Sequence, residues 1–318
     1  MTTQIDPKIY QAAHETAVFT PRPLGILKIQ GETRLDLIDR MSTQSVKNLA
    51  SGEGAATILT TDIGRIIDRL ILYASSDTAY ALTSENNSDA IARYLMRFVF
   101  FNDDFRMEDV SAETAVFAIY GPQSQTKLAK AGFPEADLPL HHWRQANING
   151  TTLYLHRTDP IAGDGYFVMC QQSDADTAEK LLIDAGIIKA NEAAFDALRI
   201  ESGLPRFNTE MTRDYIPLET NLWNDVSFNK GCYIGQEIIA RMESRGKLAK
   251  KLVPLKLSTP VEPGAELTAN GKSVGTITSV AMLPTGPIGL GYVKTAVLNS
   301  ESELMVGETA VTVKEIGK

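Results

Sequence analysis

The densest group of reactive side chains lies at 230–237, Lys230-Gly231-Cys232-Tyr233-Ile234-Gly235-Gln236-Glu237. An amine, a thiol, an amide and a carboxylate fall within this one short run. A cation beside a thiol favours the thiolate, the form that attacks electrophiles and binds metals, so Lys230 could activate Cys232. Gln236 and Glu237 open a helical pattern whose N-terminal dipole acts on the thiol in the same sense. Gly231 and Gly235 let the backbone approach a ligand closely. The same residues also fit a small buried cysteine in a tight loop. Nucleophile, redox thiol and transient metal ligand all remain open for Cys232.

The run continues into a basic stretch. Lys230, Arg241, Arg245, Lys247, Lys250 and Lys251 stand against Glu237 and Glu243, a local +4 in a chain of net charge −8. Such a patch suits an anionic ligand tail, an RNA backbone or an acidic protein partner, and equally a solvated helix end. Aromatic residues are sparse there, so RNA is a possible partner that stacking does not indicate. No metal site is expected, because His14, His141, His142 and His156 have no ligand spacing with one another or with the cysteines. The PLHHW stretch holding His141 and His142 reads as surface loop. Cys170 and the cluster Phe98, Phe100 and Phe101 read as core.

The elements that must position these groups alternate short strands with amphipathic helices. Strands are expected at 24–30, 55–61, 66–74 and 78–83, with a helix carrying Leu35, Leu37, Ile38 and Met41 and another over 88–99. Asp62-Ile63-Gly64 closes a hairpin. A similar arrangement recurs, with strands near 114–120, 151–157 and 165–171 around helices at 122–131 and 174–186. The helix at 191–202 stops at Gly203, with Pro205 beyond it. Mixed hairpins and helices make this an α+β fold rather than a doubly wound sheet. After Lys251 the composition changes: 252–318 has no Asp, Tyr292 as its lone aromatic residue, and 8 of the 23 glycines. Short apolar runs punctuated by Pro-Gly and Asn-Gly indicate a small β-barrel. The expected segments are 1–110 and 111–250, two α/β subdomains, and 251–318, the barrel.

With 318 residues, 43% of them hydrophobic and 22% charged, the chain has the composition of a globular protein. The net charge argues against a protein that coats nucleic acid. No apolar run reaches the length of a membrane span, and MTTQIDPKIY lacks the plan of a secretory signal. A cytoplasmic protein with no membrane partner is expected.

The run K-G-C-Y-x-G-Q-E, followed by Ala240-Arg241 and Arg245-Gly246, resembles the signature of the YgfZ family, folate-binding relatives of the glycine-cleavage T-protein. Weaker similarity spans nearly the whole chain, through Gly64-Arg65-Ile66-Ile67-Asp68, Arg199-Ile200-Glu201, Pro217-Leu218-Glu219 and Val274-Gly275-Thr276-Ile277. The resemblance implies a T-protein-like, ring-like arrangement with tetrahydrofolate or a derivative in a central channel. It implies that Glu219 faces the pterin, where a carboxylate can accept paired hydrogen bonds. Arg199 matches a superfamily arginine that would bind folate or an internal carboxylate. Ser84, with Asn86 and Asn87 beside it, falls where T-proteins have a pterin-facing Asn, and Tyr233 joins these as a cofactor contact.

One departure bears on mechanism. T-proteins carry a second Asp as catalytic acid/base where this chain has Arg69, and a guanidinium cannot accept a proton at neutral pH. The resemblance therefore implies a folate-binding accessory protein that supports iron–sulfur cluster assembly or repair, and through iron–sulfur enzymes tRNA modification. Its partners would be assembly factors or client enzymes. A lone thiolate cannot hold a conventional cluster, so such work needs a partner, a dimer or an exogenous ligand. The alternatives are a tetrahydrofolate-dependent aminomethyl or methyl transferase, and a non-catalytic adaptor on the same fold.

Overall fold

The computed structural model describes residues 3–133, 136–246, 248–300 and 302–314. Two antiparallel-dominated sheets pack face to face, each backed by helices, and a barrel closes the C-terminal end. The first sheet runs in the order Gly54–Thr60, Ile66–Ala74, Thr78–Glu85, Leu24–Gln30, Arg106–Asp109. The second runs Ile188–Lys189, Val18–Pro21, Thr114–Gly121, Asp164–Gln171, Thr151–Thr158, Trp143–Ile148.

Side-chain alternation along each strand decides what meets what. In Ile66–Ala74, Leu70, Leu72 and Ala74 face the helices Arg34–Met41 and Ser88–Met96. Ile71 and Tyr73 point the other way, into a core shared with Val116, Ala118, Tyr120, Phe167 and Met169 of the second sheet. Period two therefore puts Arg69 between the sheets. In Thr114–Gly121 both faces are apolar because both are covered: Ala115, Phe117 and Ile119 pack on the outer side, toward Leu128 and Leu182 of the helices Ser124–Lys130 and Ala175–Asp184.

Six C-terminal strands, Lys250–Leu257, Glu266–Ala269, Lys272–Leu283, Gly286–Lys294, Leu304–Val306 and Thr309–Val313, close on themselves as the expected barrel. Asn270 and Gly271, both at positive φ, make the hairpin turn that Asn-Gly predicts. Two short N-terminal segments cross the expected divisions: Thr3–Gln4 pairs with the barrel strand Lys272–Leu283, and Val18–Pro21 joins the second sheet.

Two expectations are corrected. His141 is buried, at positive φ, with its N–H on the Arg157 carbonyl. Pro139 and Leu140 of the PLHHW stretch are exposed as expected, but its far end is anchored, because Trp143 donates from its backbone to Gly52 and from its indole to Ala74. Phe100 and Phe101 are exposed, 59% and 104%, while Phe98 alone of that cluster packs inward. The helix they were expected to follow ends at Met96, so the two rings lie on the turn beyond it. Cys170 is core as expected, and burial pushes its thiol up to about 11.

Candidate functional site

Between the inner faces of the two sheets lies a cavity of ≈580 Å³. Leu24, Ile71, Leu82, Tyr120, Phe167 and Phe195 give it an apolar wall, and residues within 202–211 and 220–225 complete its lining. Polar and charged side chains make up more than half of the residues that line it. Among them, Arg69 donates from Nε to Asp225 Oδ2 at 2.6 Å and from Nη1 to Asp159 Oδ2 at 2.8 Å. Burial works to neutralise this guanidinium, but Asp159 and Asp225 overcome it and raise its pKa. Burial likewise works to raise the Asp159 pKa, and Arg69 holds it below the usual carboxylate value. Two carboxylates against one guanidinium leave this point with one net negative charge.

Also in the lining, the buried Arg22 lies 3.5 Å over the Phe195 ring and pairs with Glu85 and Glu192. Arg206 reaches Glu85 at 2.7 Å and Glu192 at 2.8 Å, which ties the 202–211 segment to the first sheet.

The residues expected to face a cofactor divide sharply. Ser84 lines the cavity, but its hydroxyl and N–H both go to Asp68, at 2.5 and 3.1 Å. Asn87 adds an amide N–H to the same carboxylate at 2.8 Å. Asp68 is fully buried, burial raises its pKa, and these donors with the Arg69 N–H oppose that rise. The Asp68 group therefore shapes the turn at 84–87, and Asn86, at φ 55°, is the asparagine on the cavity wall.

Arg199 also borders the cavity, yet its donors are taken by Asp196 at 2.8 Å, by the buried Glu210 at 2.7 Å and by Ser279 of the barrel at 2.7 Å. Of its two expected partners, the internal carboxylate is the one present. Glu219 is not among the residues lining this cavity. Its carboxylate accepts from the Ile216 N–H and lies 3.7 Å from Arg65, closing its own turn.

The motif segment packs on the first sheet. Lys230 is anchored rather than free: Nζ donates to the carbonyls of Asp39, Ser42 and Gln44 at 2.6, 3.0 and 2.7 Å, and its side chain is 2% exposed. It thereby caps the C-terminal end of Arg34–Met41, where helical carbonyls lack partners. Burial lowers its pKa, with Asp39 opposing. Cys232 is exposed. Tyr233 is buried beneath Lys230, and burial pushes its hydroxyl up to about 12.

The helix opens at Gln236 as expected and runs to Arg245. Glu237, Arg241 and Arg245 lie on its exposed side and Gln236 is half-buried. The glycines do not share one role. Gly235 sits at φ 84°, where a Cβ would stand 2.5 Å from the Thr61 carbonyl, so it serves contact with protein backbone rather than with a ligand. Gly231 has open space around it.

Comparison with known proteins now decides the family. Residues 5–230 match the model of the GCVT N-terminal domain, and 250–316 match the CAF17 C-terminal beta-barrel domain. The chain belongs to the YgfZ/CAF17 family, within the aminomethyltransferase superfamily. Among relatives, an aminomethyltransferase of Bacillus subtilis is 28% identical over 93% of this chain and 83% of its own length. A chloroplastic protein of Arabidopsis thaliana, At1g60990, provisionally named a transferase, is 29% identical over 89% of this chain. The chain spans 66% of that protein's length. The glycine cleavage system aminomethyltransferase T of Bartonella henselae superposes with a TM-score of 0.85 at 23% identity, covering 98% of this chain and 88% of that one, a likeness of fold.

For this YgfZ/CAF17 member, sequence reasoning missed Asp159, Asp225 and Asp68. The first two meet Arg69 from 90 and 156 residues away. The available signal was Arg69 itself: an arginine on the inward face of a buried strand requires carboxylates, even where their identity is not legible.

Proposed function

We propose that this chain is a folate-binding accessory protein that supports iron–sulfur cluster assembly or repair, and tRNA modification through iron–sulfur enzymes. Tetrahydrofolate or a derivative fits the cavity on three grounds. Its volume lies within the ~300–1,000 Å³ of small-molecule pockets. Its apolar side chains, Leu24, Ile71, Leu82, Phe167 and Phe195 among them, suit a pteridine and a benzoyl ring. Glu85, Asp159 and Asp225 bring carboxylates to its lining, where lone pairs can meet the paired donors of a pterin in the role expected for Glu219.

The observation that carries an accessory role over glycine-cleavage chemistry is the state of Arg69. It stands where T-proteins have their acid/base, and Asp159 and Asp225 lock it in its charged form. Such a group orients a ligand and cannot move a proton. The exposed Cys232 on the motif loop supports action toward a second protein, with the iron–sulfur assembly factor or client enzyme approaching from that side. In this reading the protein works in the cytoplasm; the Arabidopsis relative is chloroplastic.

The test is anaerobic calorimetry with tetrahydrofolate on the whole chain and on Leu24→Trp, which fills the cavity. Saturable binding to the parent, lost in Leu24→Trp, is expected. No binding to either removes folate from the function and favours the adaptor. In cells lacking the protein, recovery of iron–sulfur enzyme activity by Cys232→Ala at parental levels would sink a thiol-dependent role.

A further inference from the structure

Beyond the cavity, Tyr73, His141 and His156 form a second polar cluster between the sheets. Each carries a buried polar atom with no protein partner among the described residues: Tyr73 Oη, His141 Nδ1 and both ring nitrogens of His156. Their exposures are 1%, 8% and 4%. The Tyr73 and His156 rings meet edge-on at 4.0 Å, and Trp143 stacks on His156 at 5.9 Å. A Cβ on Gly54 would stand 2.4 Å from the His141 carbonyl oxygen and 2.9 Å from Tyr73 Cδ1, so the His141 backbone and the Tyr73 ring converge on one point. Tyr73 shares its strand face with Arg69, and the charges acting on His141 are Asp159, Arg69, Asp225 and His142.

A buried polar atom without a partner costs about 1–3 kcal/mol, and native proteins leave few such atoms. Here the Tyr73 and His156 rings are in contact and the His141 backbone meets the Tyr73 ring, and the partner they need must both donate and accept, because a neutral imidazole offers one donor and one acceptor. A coordinated metal does not meet that need, and among the described residues no group of three or more His, Cys, Asp or Glu is placed to hold one. Water does. We propose that Tyr73, His141 and His156 build an internal hydration site, of about two waters at ~3 hydrogen bonds each, behind the Arg69–Asp159 pair. The site puts exchangeable protons next to a cavity wall whose own cation, Arg69, cannot release one.

A high-resolution crystal structure of the whole chain tests this, together with Tyr73→Phe and His156→Phe. The expected result is water density within hydrogen-bonding distance of Tyr73 Oη and of a His156 ring nitrogen. That density should be lost or displaced in His156→Phe, and Tyr73→Phe should lower Tm because a bound water loses a partner. A dry cluster, or a Tyr73→Phe protein that melts higher than the parent, overturns the proposal. Should His156→Phe fail to fold, the parent density and the Tm of Tyr73→Phe, which removes a single oxygen, still decide it.

Discussion

Replacing Arg69 by alanine should injure the protein in a manner that depends on pH. The guanidinium has 14% side-chain exposure and bridges Asp159, just past the strand Thr151–Thr158, to Asp225 on the 220–225 segment. Its removal leaves two carboxylates facing a buried gap. Breaking a buried ion pair from one side costs about 3–5 kcal/mol, chiefly through the charge left behind. At about 2 °C per kcal/mol, appropriate to a long chain, that is a fall of roughly 6–10 °C in Tm at neutral pH. The pH dependence follows from which state holds the protons. In the parent, the Asp159 pKa is depressed, so its contribution is present above the unfolded carboxylate value and does not change between pH 7 and 5. Without Arg69, burial dominates and raises it, so the folded variant takes up protons that the unfolded chain does not. The Tm deficit of Arg69→Ala should therefore shrink from pH 7 to pH 5; His141, freed of the Arg69 cation that helps lower its pKa, takes up protons in the same sense, while His156, shifted by burial alone, affects both proteins alike. Differential scanning calorimetry of both proteins across that range is the assay. A deficit worth less than about 1 kcal/mol, or one that is constant with pH, would refute a buried, mutually dependent triad.

Lys230→Met keeps the stem and removes three donors to carbonyls at 39–44, so urea unfolding should show a loss of about 2–3 kcal/mol. The motif glycines should part company: Gly235→Ala, forced to positive φ against the Thr61 carbonyl, should lower Tm by several degrees, and Gly231→Ala should leave it within a degree or so, about 0.5 kcal/mol. Native-state alkylation followed by mass spectrometry should label Cys232 and spare Cys170, whose thiol is buried and pushed up to about 11. Asp68→Asn, which cannot accept from both Ser84 and Asn87 as the carboxylate does, should destabilise the chain and weaken any ligand bound against the 84–86 wall, read by calorimetry.

The difference between what the sequence reveals and what it hides follows the range of the forces involved. Strands at 24–30, 66–74 and near 114–120, the helix opening at Gln236, the Asn270-Gly271 turn and the barrel are written in local alternation and turn chemistry, and they were legible. The motif at 230–237 was legible as a motif, but its chemistry was not, because Lys230 finds its acceptors near residue 40 and Gly235 meets the hairpin at 60–64. Those contacts turn an apparent activating cation into a helix cap. The site polar groups show the same division. Ser84, Asn87, Arg199 and Glu219 were nominated for a ligand, and each has an internal partner within a few ångströms; Ser84 and Arg199 line the cavity all the same, beside Arg69, Asp159 and Asp225, which are likewise paired with one another. A polar residue in a buried frame must be satisfied by something, and the sequence does not distinguish a ligand from a neighbouring side chain. Arg69 is where the two kinds of information meet: period two along 66–74 sets it facing inward, inward placement demands carboxylates, and those carboxylates fix its charge. That chain of necessity carries the proposal made above, in which a fixed cation at this position orients a ligand rather than exchanging a proton with it.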